Sequence, residues 1–149
     1  IEFARVCHSI EVQINSEETA RHLNEIQTEI LEEIVATGNR EHKFELGCHY
    51  LRSAHRCEIE NQDEAFEYLY KALAIFDELS NDSVELTESN IRKLERVAVS
   101  YSECAESLRF MNQEQEAEKI QYKSIHLFEK IEKKKTYFIL TEPKKGTIK

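Results

Sequence analysis

A chain of 149 residues with 40% apolar side chains is long enough to close a hydrophobic core, and its three Gly and single Pro argue against a sheet protein, which draws on both for tight turns. The net charge of −9 is unevenly spread: residues 1–128 carry 13 Lys+Arg against 26 Asp+Glu (net −13), and residues 129–149 carry 7 Lys against 3 Glu (net +4). An acidic body repels a phosphate backbone, which argues against direct nucleic-acid binding and favours a basic protein partner or the chain's own tail.

The expected fold is all-α: about five helices in antiparallel hairpins, stacked as a solenoid fragment or bundle. Residues 1–14 carry little pattern and read as a lead-in segment; the opening at Ile1 rather than Met reads as a fragment of a larger protein. A helical domain is expected over 15–135. Asn15 with Glu18 makes a capping-box-like start, and Leu23, Ile26, Ile30, Leu31 and Ile34 then form an amphipathic stripe ending near Gly38. A second helix, from about Arg40 to Glu58, carries Phe44, Cys48, Leu51 and Ala54 on one side. The third places Ala65, Leu69, Ala72, Leu73 and Phe76 on its stripe and stops in Ser80-Asn81-Asp82-Ser83. The fourth starts between Ser83 and Asn90 and reaches Met111, with Ile91, Leu94, Ala98, Tyr101, Ala105 and Leu108 at alternating steps of three and four. Asn112 with Gln115 recaps the chain for a fifth helix bearing Ala117, Ile120, Ser124, Leu127, Phe128 and Ile131, expected to fray at Lys133-Lys134-Lys135. The apolar, β-prone Thr136 to Leu140 and the lysines around Pro143 and Gly146 read as a basic, flexible tail over 136–149, which could dock on the domain's own acidic face.

Two stretches align with each other. Residues 51–76 and 103–128 share a small residue mid-first-helix (Ser53, Ala105), Asn-Gln in the turn, Glu-Ala opening the second helix (Ala65, Ala117), and Lys-small-aliphatic further on (Lys71-Ala72-Leu73, Lys123-Ser124-Ile125). Small residues at a crossing let two helices approach while larger neighbours interlock around them. On these residues, and on EAFEYLYKALAIFDEL and EAEKIQYKSIHLFEKI as second helices, the chain resembles the tetratricopeptide-repeat family over roughly 45–131. Its two units are 52 residues apart, against the family's usual ~34, the extra length falling in 80–97; the repeats are diverged and elongated.

The resemblance implies a groove lined by first helices. At matching positions it would be formed by Tyr50, Ala54, Cys57 and Glu58, then Ser102, Glu106, Arg109 and Phe110. Tyr50 and Ala54 stand where some relatives place Lys and Asn to clamp a chaperone's terminal carboxylate, so that ligand is not implied. Glu58 and Glu106 would favour a basic or amide-donating one.

The residues themselves offer no catalytic constellation. The glycines stand alone at 38, 47 and 146, so no phosphate loop exists, and neither G-x-S-x-G nor H-E-x-x-H occurs. Cys48, His49, His55 and Cys57 lie along one helix but do not share a face, so no metal site is expected, and Cys7-His8 lacks a third partner. No cofactor is expected. Neither a spanning segment nor a Lys/Arg-rich amphipathic face is present, and the cysteines read as thiols of an intracellular, cytoplasmic or nuclear protein. The expected function is therefore a non-catalytic scaffold or adaptor domain that binds a basic or amphipathic segment of another protein. Two alternatives are a self-associating helical bundle in a larger assembly, for which homo-oligomers are possible, and an acidic chaperone for basic proteins such as histones.

Overall fold

The computed structural model describes residues 2–6 and 17–141, all of whose regular structure is helical. A short helical stretch at residues 2–6 precedes α1 (Glu17–Ala36), a 3-10 turn (Arg40–His42), α2 (Lys43–Cys57), α3 (Gln62–Ser80), α4 (Ile91–Phe110) and α5 (Glu114–Thr141). The all-α expectation holds. Asn15, Cys7-His8 and the lead-in beyond residue 6 lie outside the described residues, as does the tail from residue 142. The packing separates into two compact units, Ile1–Glu78 and Leu79–Lys149.

In the first unit, α2 and α3 form an antiparallel hairpin. Gly47 lies at their closest approach: a Cβ there would stand 2.8 Å from Cε1 of Phe76 and 3.2 Å from Cγ2 of Ile75. The Phe44 and Phe76 rings meet at 6.0 Å, and Ala54, Ala65, Leu69 and Ala72 along the hairpin are fully buried. Asn61 opens α3: its Oδ1 accepts the Glu64 amide at 3.2 Å, satisfying one of the donors that a helix start leaves unpaired.

α1 departs from the expected pattern. Of its apolar stripe only Leu31 is fully buried, while Leu23, Ile26, Ile30 and Ile34 are half-buried. The inward row is Asn24, Gln27, Thr28 and Leu31, and polar bonds make it tolerable. Asn24 Nδ2 donates to Ser53 Oγ of α2 at 2.6 Å, and Gln27 Nε2 donates to the carbonyl of Ala4 at 2.7 Å. A buried amide without such partners would cost several kcal/mol on the order of a full desolvation penalty.

In the second unit, α4 and α5 pair antiparallel through small residues. The buried Ser124 donates to the carbonyl of Ala98 at 2.6 Å, and Ala105 and Ala117 are fully buried. The equivalent small positions of the two hairpins, Ala65 with Ala117 and Ala72 with Ser124, are thus all interior. Asn112 does not open α5. It adopts a left-handed conformation (φ 61°) that closes α4, with the Gln113 amide reaching the Leu108 carbonyl at 2.8 Å and its own amide reaching that of Arg109 at 3.0 Å. Gly38 ends α1 in the same way.

The expected fraying at Lys133-Lys134-Lys135 does not occur, and α5 continues to Thr141. Thr136 and Tyr137 carry only a few tenths of a kcal/mol of propensity cost each, on the order that extending a formed helix repays.

Candidate functional site: an acidic, tyrosine-lined cleft

The eight expected groove residues divide between the two units. In the first, Ala54 is fully buried and offers no surface, which corrects its place in a groove: it sits at the crossing where a small residue is needed. Tyr50 is also largely buried. Glu58 binds His55 one turn back on the same helix at 2.7 Å, so its carboxylate is committed locally. Cys57 is half-buried, and burial, followed by the nearby Glu64, pushes its thiol up from the ordinary range. In the second unit Ser102 turns to α5, where Gln121 Nε2 donates to it at 2.9 Å and Ser124 lies at 3.1 Å. Ser102, half-buried, thus serves the hairpin interface. Arg109 pairs with Glu114 across the turn at 3.4 Å, Glu106 is exposed, and Phe110 is 57% exposed.

A different constellation emerges in the first unit. Glu25, Thr28, Glu29 and Glu32 of α1, Tyr50 of α2, and Tyr68 and Lys71 of α3 line one cleft. The three carboxylates fall at i, i+4 and i+7, one above another on a single helix face. No ion pair to Glu25 or Glu29 occurs among the described residues. Like charges at that spacing cost α1 a few tenths of a kcal/mol, roughly 0.2–0.5 per pair.

Opposite them, Tyr50 and Tyr68 stack with centroids 6.3 Å apart and planes inclined by 30°. Lys71 Nζ lies 5.5 Å from the Tyr50 ring and 5.9 Å from the Tyr68 ring, a cation shared between two aromatic faces. Burial raises the Tyr50 phenol above its ordinary range, and the nearby carboxylate of Glu32 raises it further. Tyr68 is raised by burial first and by surrounding carboxylates after that. Both hydroxyls therefore remain protonated donors, and the cleft's charge comes from its three glutamates and from Lys71.

Of the expected residues, only Tyr50 belongs to this cleft. The others were missed, although the Glu25-Glu29-Glu32 spacing and the Tyr68-Lys71 step of three were visible signals. What hid them was the choice of first helices as the lining.

Among the described residues no group of three or more His, Cys, Asp or Glu converges as a metal site would require, and Cys48, Cys57 and Cys104 are thiols rather than half-cystines. No described helix is long and apolar enough to cross a membrane. No protein-family model matches the chain, and no curated protein or solved structure is significantly similar to it.

Proposed function

We propose that this is a non-catalytic interaction domain, a diverged helical repeat of tetratricopeptide type, that binds a basic or amphipathic segment of another protein. The observation that carries the reading is the cleft of Glu25, Glu29 and Glu32 facing a tyrosine pair over which an ammonium already rests. Carboxylates supply attraction and orientation to a Lys or Arg side chain, and the aromatic faces add a contact that survives partial desolvation. Helical hairpins joined through buried small residues give such a cleft a rigid frame, so a ligand does not have to order it. The thiols fit an intracellular setting.

Calorimetric titration of the intact protein with an amphipathic Lys/Arg-rich peptide tests this, with a Glu-rich peptide of the same apolar pattern as control. Binding of the basic peptide alone is expected, and the variant Glu25→Gln/Glu29→Gln/Glu32→Gln should weaken it at least tenfold. Equal affinity of the variant would remove the cleft from the function, and binding of neither peptide would remove the function itself.

A further inference from the structure

α5 outruns its partner. The ion pair of Lys135 with Glu95 (2.6 Å), one turn into α4, and the full burial of Ile131 tie α5 to its partner up to this point. The last six residues of α5, about 9 Å of helix, continue past it. Of their large apolar side chains, Tyr137 is 54%, Ile139 73% and Leu140 78% exposed, and Phe138 is half-buried. Basic charge stands directly before them. Lys130 and Lys135 are paired, with Asp82 and Glu95, but no ion pair to Lys133 or Lys134 occurs among the described residues. Lys134 lies over the rings of Tyr137 and Phe138, at 4.8 and 5.4 Å.

We propose that this projecting helix end docks on the acidic face of α1 in a second copy of the chain. The inference rests on the reading of the cleft as a site for a basic, amphipathic segment, and it identifies such a segment within the chain itself. Charge complementarity selects the occupant. Two projecting ends repel each other, because both are basic, so a symmetric end-to-end contact is disfavoured. α1 carries six Glu against one Arg, and Glu25 and Glu29 on it lack ion pairs among the described residues. An anionic bilayer would attract the lysines and accept the apolar side chains, but it would repel the acidic remainder, net −13 over residues 1–128. The second copy has the opposite balance, since the surface that repels a bilayer is the one that attracts the lysines. The contact joins unlike surfaces, so it propagates from copy to copy unless it closes into a ring. Three exposed apolar side chains and two lysines fall short of a standard interface, so association is weak and depends on salt.

Sedimentation velocity on the intact chain, at low salt and across a roughly hundredfold range of concentration, tests the proposal. Two variants are made: Glu25→Lys/Glu29→Lys/Glu32→Lys, which removes the acceptor, and Lys133→Glu/Lys134→Glu/Leu140→Asp, which removes the projecting end. Wild type should grow with concentration and revert to monomer in about 0.5 M salt. Each variant alone should remain monomeric, while their equimolar mixture should form a one-to-one complex that grows no further. Circular dichroism confirms that both are folded, and a Gln triple variant replaces the Lys one if it is not.

A wild type that is monomeric throughout overturns the proposal, and so does a mixture that fails to pair. If that monomer still binds the basic peptide, self-docking alone is lost; if it binds neither, the cleft reading falls too. A monomer that co-sediments with phosphatidylserine vesicles would assign the projecting end to a lipid surface instead, which also overturns the proposal.

Discussion

At the level of single residues, two positions show how closely the first unit is fitted. Gly47 is needed for space, since the nearest atom to an added methyl is the rim of a fully buried ring. Overpacking costs ~1–3 kcal/mol, and the better helix propensity of Ala returns up to ~1 kcal/mol. Gly47→Ala should therefore destabilise the unit by about 1–2 kcal/mol in urea unfolding, and a variant as stable as wild type would show that Phe76 can swing aside. Glu78 illustrates a weaker contribution. Lys43 hydrogen-bonds its carboxylate and, with Arg40, holds its carboxyl below the ordinary range. A depressed folded value means stability that is present above the unfolded pKa and lost as pH falls through the folded one. Glu78→Gln should thus cost well under ~1 kcal/mol near neutrality, because the pair is partly solvated. The difference from wild type should disappear in acid, once the carboxyl is protonated in both states.

Among the elements, legibility in the sequence follows chemistry. Every residue expected on the stripes of α3 and α4 is buried, because both helices pack with purely apolar or small side chains. α1 was misread for the opposite reason. Its buried Asn24 and Gln27 each place the amide nitrogen on a particular partner, and those partners, Ser53 and the Ala4 carbonyl, are distant in sequence. Periodicity cannot express a hydrogen bond to a residue distant in sequence. The candidate cleft was largely illegible for a related reason, as it draws on three helices whose rotational setting depends on that same polar seam. The α4–α5 turn was misassigned more simply: Asn is favoured both before a helix and in the left-handed position after one. The two roles predict different mutants. At φ 61°, Asn112→Ala should lose on the order of 1 kcal/mol, whereas Asn112→Gly should change stability by under ~0.5 kcal/mol. A helix-opening Asn whose side chain accepts an amide would be hurt by Ala with no such rescue by Gly at φ > 0.

For the molecule as a whole, the dominant property is a field: strongly negative over most of the chain and positive at one end. Under the proposed function, that field would govern how quickly a basic ligand arrives, and encounter rates should fall at least ~10-fold when salt is raised from low to high. Stopped-flow measurement against the basic peptide checks this, and a rate indifferent to salt would assign recognition to apolar contact instead. The position of Lys71 sets a limit on the other half of the affinity. Held over the two tyrosine rings by its own helix, it is a tethered competitor whose effective concentration no dilution can lower. An incoming cation gains only the difference between its own contacts and those the lysine gives up. Lys71→Met should accordingly tighten binding of the basic peptide several-fold, chiefly by slowing its departure, and an unchanged or weaker affinity would mean that guest and lysine occupy the rings side by side. Kept so, the domain would release its ligands readily, a trait suited to exchange among partners more than to permanent assembly.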